Sequence, residues 1–291
     1  DLLRRDFTIN AIALQITSPA PGELLDPTGG VADLRGSVVR VLHDRSFQDD
    51  ATRILRAARY EARFGFRLEE RTLDLLQRDL TFLDSISGTR IRHELVRTFA
   101  EAEPERALAR LHELGVLAAI HPALSFGPAQ AKGIRRLREL GAPGLAAWPI
   151  LAWSAPDAQI PDLVRRLALT RAQTVAVHAV PAARGIEARL AASSRPSDIT
   201  HLLDTLPLPT VYALAALSED ARVASYLTTW RTARPILRGD DLIAQGVPRG
   251  PDVAHVLARL RAAKLNGEVN TRADEEHLVD EFLARERLGL A

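Results

Sequence analysis

The sequence contains no cysteine among its 291 residues, which excludes disulfide bonds and thiolate metal sites. This absence suits a reducing compartment, so we expect a cytoplasmic protein. No apolar run approaches the ~20 residues of a membrane-spanning helix, and no membrane partner is expected. Methionine is also absent and the chain opens on Asp1, so we expect it to be a fragment of a longer protein.

Lysine is almost absent too, because Lys132 and Lys264 are the only lysines among 38 basic residues. Arginine supplies the rest, and its planar fork of donors suits phosphates and base edges, although a biased genome would produce the same preference. The net charge of +1 argues against a uniformly basic coat that binds nucleic acid. The apolar share of 46% is that of an ordinary globular protein, and the length allows two or three domains.

Helical spacing dominates the chain after Phe47, so the predicted fold is mainly α. Before that point, residues 7–16 alternate loosely between apolar and polar, and residues 37–42 form a short β-branched run. Both segments predict strands of a small sheet. Proline clusters and other turn signals place the predicted domain breaks near residues 67, 125 and 232.

Two helices have clear start and stop signals in the sequence. Pro104 at a first helical turn and Gly115 after the last apolar residue bracket one of them. Asp240 and Gly246 bracket another. Short helices joined by short turns are therefore expected through the rest of the chain.

The segment 47–66 concentrates charged residues that could carry chemistry. Asp49 and Asp50 are predicted in the first turn of a helix. Arginines follow at spacings of three and four, which place them on neighbouring faces: Arg53, Arg56, Arg59 and Arg63. An ordinary reading is a surface ion pair between Asp50 and Arg53 worth ~0 to 1 kcal/mol.

A functional reading follows from hydrogen-bond chemistry. Asp50 can only accept and Arg53 can only donate, so together they present one acceptor beside a fork of donors. Cytosine and adenine complement this pattern, since each offers an exocyclic amine and ring acceptors. Guanine and uracil would instead put a carbonyl oxygen against the carboxylate. The pair would therefore select C and A.

Two segments before residue 40 are weaker candidates. Residues 4–11 place Arg4, Arg5 and Asp6 before an extended stretch, where they could reach phosphate and ribose hydroxyl groups. Residues 26–36 have a turn signature, and Asp26 and Asp33 there could simply cap the turn and the helix that follows. A His43-Asp44 dipeptide lacks a convincing set of further ligands among the later histidines, His93 included, so no metal site is predicted.

Three motifs together resemble the class II CCA-adding tRNA nucleotidyltransferase and bacterial poly(A) polymerase family. RRDFTINA at residues 4–11 looks like its ribose-recognising motif, and DPTGGVADLRG at residues 26–36 resembles its hinge motif. QDDATR at residues 48–53 is similar to its nucleotide-template motif, usually Glu-Asp-x-x-Arg, with Asp49 in place of the glutamate. The resemblance implies that Asp50 and Arg53 pair with the base and that Arg5 and Asp6 contact the ribose.

The resemblance continues into the helical part of the chain. SGTRIRHEL at residues 87–95 resembles the family's neck motif, with Thr89 in place of a glutamate, and Arg90 and Glu94 are expected to brace the neck helices. Residues 236–269 are similar to the tail that holds the tRNA acceptor and TΨC arms. The implied domains are the distal part of a nucleotidyltransferase palm (1–46), neck helices (47–125), a helical body (126–232) and a helical tail (233–291).

The site residues implied by these motifs form two groups. The nucleotide-binding candidates are Arg5, Asp6, Asn10, Asp50, Arg53 and Arg56. The supporting candidates are Asp26, Asp49, Arg59, Arg63, Arg90 and Glu94. No catalytic residue and no metal ligand is expected within the chain itself.

The implied function is addition of C, A or both to tRNA 3′ ends from CTP and ATP. Poly(A) polymerase is an alternative in the same chemistry, and a non-catalytic RNA-binding helical protein is an alternative from another class. In this family the Mg²⁺ ligands lie on a Gly-Ser loop and an Asp-x-Asp strand upstream of the first motif.

We therefore expect the purified 291-residue chain to be unable to extend tRNA on its own. Two-metal phosphoryl chemistry needs those upstream carboxylates to hold the ions. The measurement is incorporation of CMP or AMP into tRNA by the isolated chain, and detectable incorporation would contradict this expectation.

Overall fold

The computed structural model describes residues 1–16, 22–218 and 220–287. Residues 17–21 of the predicted palm and 288–291 of the predicted tail lie outside this part. The chain forms two compact units, Asp1–Val180 and Pro181–Ala291. The division between them near residue 180 is not among the predicted breaks, and the four-domain division stays a prediction.

Helices make up most of both units, as the spacing predicts. The helices that begin before residue 180 are α1 (Gly30–Arg35), α2 (Ser46–Asp49), α3 (Thr52–Phe64), α4 (Glu70–Arg78), α5 (Gly88–Phe99), α6 (Pro104–Glu113), α7 (Val116–Ile120), α8 (Pro128–Glu139), α9 (Ala147–Leu151), α10 (Ile160–Arg166) and α11 (Arg171–His178). Those that follow are α12 (Val180–Ala192), α13 (Pro196–Asp204), α14 (Leu208–Leu217), α15 (Ala221–Thr228), α16 (Gly239–Ala244), α17 (Pro251–Leu265) and α18 (Arg272–Arg287).

The strands of the first unit are short. β1 (Ala13–Leu14) pairs antiparallel with β2 (Leu24–Leu25). β3 (Val38–Val39) pairs parallel with β4 (Arg67–Leu68), with Val38 opposite Arg67. A single antiparallel bridge joins Phe7 to Val41.

The predicted strand over residues 7–16 is mostly wrong. A 3₁₀ turn, Thr8–Asn10, occupies its first half. The side chain of Asp6 stabilises this turn, since its Oδ1 accepts from the Phe7 amide at 3.0 Å and from Asn10 Nδ2 at 2.9 Å. A local side-chain bond of this kind offers the backbone an alternative to a strand.

The two helices with clear boundary signals are confirmed. α6 begins at Pro104, and Gly115 adopts a left-handed φ of 74° just after it ends. α16 covers Gly239–Ala244, and Gly246 follows with φ 103°. Glycine carries no Cβ, so these positive φ angles cost it little.

The core of the first unit forms around α3. Ile54, Leu55 and Ala58 on this helix are fully buried, and α3 packs against α5 and α6. Burial of a large aliphatic side chain contributes roughly 1.5 to 3 kcal/mol. The fully buried Phe47, just before α3, and Leu95 on α5 belong to the same unit. The helix on which residues 48–53 end is therefore fixed by packing on α5 and α6.

The second unit has a core of its own near its end. Leu237, Leu242, Val256, Leu260 and Phe282 are among the buried side chains that pack together there, and all but Leu237, just before α16, lie on α16, α17 or α18. None of the helices in the described part of the chain is both long and apolar enough to span a membrane.

A glycine ties the predicted hinge motif to the first motif. Gly30 starts α1, and a Cβ built on it would lie 2.1 Å from the carbonyl oxygen of Thr8. The oxygen is a main-chain atom, so it cannot be moved aside by a change of side-chain rotamer.

We expect Gly30→Ala to lower the free energy of unfolding by about 1 to 3 kcal/mol, because the methyl group overpacks this contact. Gly144→Ala is the matched control, since a Cβ there meets no atom within 4 Å. Urea unfolding followed by circular dichroism measures both. Equal midpoints for the two variants would show that the close approach does not matter.

Candidate functional site

A pocket of about 640 Å³ lies where the first ten residues meet α3 and α5. Its walls are lined by Arg4, Arg5, Asp6, Asn10, Asp50, Thr52, Arg53, Arg56, Tyr60, Arg90, His93, Glu94 and Arg97. Six of these side chains are arginines and three are carboxylates, so the lining carries an excess of positive charge. Such a pocket suits an anionic ligand.

Asp50 lies in an extended break between α2 and α3, with φ −153° and ψ 98°. Asp49 and Asp50 are therefore not in the first turn of one helix, and that prediction was wrong. The Asp50 side chain takes the place of a helical hydrogen bond, because its Oδ1 accepts from the Thr52 amide at 3.0 Å and the Thr52 hydroxyl at 2.7 Å. Asp49 instead ends α2, where its Oδ2 lies 3.8 Å from His43 Nε2.

The same oxygen of Asp50 also accepts from Arg90 Nη2 at 2.8 Å. Burial is the largest single influence on this carboxyl and opposes ionisation, but Thr52, Arg90 and Arg53 together lower the pKa of Asp50 below its usual value. Asp50 is thus an ionised acceptor with its orientation fixed. Oδ2 has no hydrogen-bond partner among the described residues and remains available to a ligand.

Arg53 does not form an ion pair with Asp50 within the described part of the chain. Its Nη1 donates to the carbonyl of Ser46 at 3.4 Å and its Nη2 to the carbonyl of Arg4 at 3.3 Å. A guanidinium has five N–H donors, so several remain for a ligand. Because the acceptor and the donors are held separately, the simple surface ion pair between these two residues does not describe the site.

Asp6 is buried and its carboxylate is fully used. Oδ1 accepts from Phe7 and Asn10, and Oδ2 accepts from Arg56 Nε at 2.8 Å and from Arg56 Nη2. An ionised carboxylate offers about four lone-pair sites, so none is left here for a ribose hydroxyl. Burial opposes the charge of Arg56, but the bond to Asp6 raises the pKa of Arg56 above its usual value. Asn10 keeps an amide oxygen without a hydrogen-bond partner among the described residues.

A buried ion pair connects the two helices behind the pocket. Arg59 Nη2 on α3 lies 2.9 Å from Glu94 Oε2 on α5, and each side chain is 6% exposed. Glu94 Oε1 also accepts from Arg97 at 2.6 Å, and Glu101 lies 3.4 Å from Arg59 and 3.7 Å from Arg63. Arg59 and Arg63 therefore act behind the pocket wall and do not line it.

Tyr60 sits at the centre of a second set of contacts on α3. Arg56 and Arg59 both lie over its ring, at 5.4 and 5.2 Å from the centroid. Its hydroxyl accepts from Arg56 Nη2 at 3.0 Å, and its ring meets Phe7 edge to face at 5.6 Å. These contacts hold the arginine that neutralises Asp6.

Asp26 lies away from the pocket and caps α1. Its two oxygens accept from the amides of Gly30 at 2.7 Å and Val31 at 2.9 Å. The bond from Val31 contributes most to lowering the pKa of Asp26, and the bond from Gly30 adds to it. Asp33 is buried and accepts from the Thr8 hydroxyl at 2.7 Å. The geometry favours the structural reading of both carboxylates.

The structure therefore brings all six nucleotide-binding candidates into one pocket lining, together with Arg90 and Glu94. Asp26, Asp49, Arg59 and Arg63 are not part of that lining. The pocket is also lined by four residues that are not among the predicted site residues: Thr52, Tyr60, His93 and Arg97. The helical spacing of Arg90, His93 and Arg97 on α5 was a usable signal, but His93 was considered only as a metal ligand.

Two family models match the first part of the chain. The poly A polymerase head domain matches residues 1–40, and a probable RNA and SrmB-binding site of polymerase A matches residues 65–127. The CC-adding tRNA nucleotidyltransferase of Geobacter sulfurreducens is 32% identical over 327 residues, which cover 99% of this chain and 74% of that protein. The chain belongs to the tRNA nucleotidyltransferase family.

Other members of the family agree with this assignment. The A-adding tRNA nucleotidyltransferase of Geobacter sulfurreducens is 34% identical over 301 residues, 94% of this chain, but the match spans only 34% of that protein. The Thermotoga maritima CCA-adding enzyme complexed with tRNA has a TM-score of 0.84 at 28% identity, over 97% of this chain and 73% of its own. The structure of a CCA-adding enzyme with ATP has a TM-score of 0.83 at 30% identity, over 98% of this chain and 72% of its own. The structure with CTP has a TM-score of 0.82 at 29% identity, over 97% of this chain and 71% of its own.

We expect Glu94→Ala to lower the free energy of unfolding by about 3 kcal/mol, because Arg59 would lose its main partner while remaining buried. Glu103→Ala is the control, since Glu103 and its partner Arg106 are 56% and 54% exposed, and we expect less than about 1 kcal/mol there. Urea unfolding measures both variants. A loss no larger for Glu94 than for Glu103 would contradict the proposed importance of the buried pair.

Proposed function

We propose that this chain selects and holds the incoming nucleotide in a tRNA nucleotidyltransferase that adds C, A or both to tRNA 3′ ends from CTP and ATP. The observation that carries the proposal is the arrangement of Asp50 and Arg53 in the pocket lining. Family membership and the relatives that are named A-adding, CC-adding and CCA-adding enzymes support it.

Base selection follows from the free atoms of these two residues. Asp50 Oδ2 would accept the exocyclic amine of cytosine or adenine, and the unused N–H groups of Arg53 would donate to the ring acceptors. Uracil and guanine would set a carbonyl oxygen against the ionised Asp50 carboxylate, which lacks a proton to donate. A site of such polar complementarity can discriminate strongly, because a wrong base leaves its groups unsatisfied.

Recognition of the ribose is assigned to Asn10 and Arg5 in place of the predicted Asp6 and Arg5. Asn10 offers an amide oxygen that has no partner in the described part of the chain, while Asp6 already accepts from four donors. Asp6 would act by orienting Asn10, since it accepts from Asn10 Nδ2 at 2.9 Å. Among the described residues the Arg5 guanidinium pairs only with Asp1, at 3.2 Å, and it is 53% exposed, so it can reach a ligand.

Mg²⁺ is the cofactor proposed from the family. The described residues contain no group of three or more histidine or acidic side chains placed to hold a metal ion. No step of the proposed role is therefore assigned to a metal bound by these residues. Their role is to bind and orient the nucleotide, and the metal would supply charge stabilisation of the phosphates.

The proposed macromolecular partner is tRNA, with its acceptor and TΨC arms held by the helical body and tail. Poly(A) polymerase remains the second candidate, because the two matching family models are described by that enzyme. The two activities differ in the RNA that is extended, so tRNA and an oligoadenylate primer are compared in one assay. The cytoplasm stays the proposed compartment.

We expect Arg53→Ala to weaken binding of CTP and ATP about tenfold, because a charged hydrogen-bond donor to the base is lost. Binding of UTP and GTP to the same protein should change little. Arg63→Ala is the matched control, since Arg63 lies on the same helix, is 53% exposed and faces Glu101 away from the pocket. Isothermal titration with each of the four nucleotides makes the measurement.

Unchanged preference for CTP and ATP over UTP and GTP in Arg53→Ala would contradict the template role. The activity itself is tested by nucleotide addition with the full-length protein on tRNA that ends before CCA. Each nucleotide is offered singly and then together, which separates CC-adding, A-adding and full CCA-adding enzymes. Extension of oligoadenylate but not tRNA would favour the second candidate.

A further inference from the structure

One wall of the pocket carries three basic side chains, and the proposed base selection involves only one of them. Arg90, His93 and Arg97 follow each other on α5 at spacings of three and four, and all three line the pocket. This spacing places them on one face of the helix. Arg90 and Arg97 are separated by seven residues, or about 10 Å along the helix axis. The wall therefore extends well beyond the base-selecting end at Asp50.

Only Arg90 has a role in base selection, through its bond to Asp50. Arg97 donates one bond to Glu94 and is 59% exposed, so most of its five N–H groups remain available. His93 is exposed and has no side-chain hydrogen bond or ion pair within the described part of the chain. Two cationic or potentially cationic groups thus line the pocket with donors to spare.

The acidic groups of the pocket do not account for them. Asp6 is paired with Arg56, and Asp50 with Arg90. Glu94 pairs with Arg97 and also with Arg59, which shares Glu101 with Arg63. Two carboxylates thus pair with three guanidinium groups, and an excess of positive charge remains. The ligand that complements His93 and Arg97 is an anion, and a phosphate group matches the fork of an arginine.

We infer that His93 and Arg97 form a phosphate-binding face of the pocket, which holds a phosphate of the nucleotide or of the RNA strand to be extended. This inference rests on the proposed function, because it takes the same pocket to be the nucleotide site. Both ligands present the same chemistry to these side chains. The two sources are separated by measuring nucleotide and RNA binding independently.

The test compares a double variant, His93→Gln with Arg97→Gln, to a matched control, His112→Gln with Arg106→Gln. His112 is also an exposed helical histidine, and Arg106 is 54% exposed and pairs with a glutamate three residues earlier, as Arg97 does. Neither control residue lines the pocket. Dissociation constants are measured for CTP, for cytidine, and for tRNA that ends before CCA.

If these side chains contact a phosphate, the double variant should bind at least one phosphate-bearing ligand about tenfold more weakly. The dissociation constants of the control should stay near those of the wild type. Weaker CTP binding with unchanged cytidine binding assigns the contact to the nucleotide. Weaker tRNA binding with unchanged CTP binding assigns it to the RNA. In the RNA case the slope of log affinity against log salt should also fall by about 0.7 to 0.9 for each lost phosphate contact.

Dissociation constants for both CTP and tRNA within twofold of wild type would overturn the inference. If the double variant does not fold, His93→Gln alone serves, because this exposed side chain has no partner to lose among the residues that the structure describes, and the same limits apply. Titration of Arg53→Ala separates the two proposals. If this variant keeps the wild-type preference for CTP and ATP over UTP and GTP, the proposed function fails, independently of the dissociation constants of the α5 variants. Absence of CTP and tRNA binding in the wild-type protein would overturn both.

Discussion

The buried ion pair between Arg59 and Glu94 is the interaction on which the rest of the pocket depends. It joins α3, which carries Arg53 and begins just after Asp50, to α5, which carries the opposite wall. A buried charge that loses its partner costs several kcal/mol, so the two helices are held at one spacing. At that spacing Arg90 on α5 reaches Asp50, just before α3, at 2.8 Å.

Charge pairing within the pocket then decides which groups are left for a ligand. Asp6 is saturated by Asn10, Arg56 and a backbone amide, while Asp50 has one oxygen occupied and one without a partner among the described residues. A carboxylate with no lone pair left positions its neighbours, whereas one with a free oxygen can accept from a base. This difference, and not the presence of acidic residues as such, distinguishes support from recognition in this site.

Much of the candidate site was accessible from the sequence because it lies in short, contiguous motifs. The pair Asp50 and Arg53 could be singled out by hydrogen-bond chemistry alone, and both line the pocket. The extended backbone at Asp50 was not foreseen, because a continuous helical pattern hides a break that a side-chain bond to Thr52 stabilises. Likewise the predicted strand after Phe7 ignored the competing bonds that Asp6 makes to its own turn.

The sequence by itself determined the class of fold, the order of the motifs and the residue types proposed to read a base, since helical periodicity and donor and acceptor patterns are local properties. The tertiary structure decided which carboxylate oxygens are already occupied, because Asp6 and Asp50 each accept from an arginine that is distant in the chain. Arg56 lies fifty residues from Asp6, and Arg90 forty from Asp50. It also decided that His93 and Arg97 face the pocket, because the position of a helix face is set by what the helix packs against.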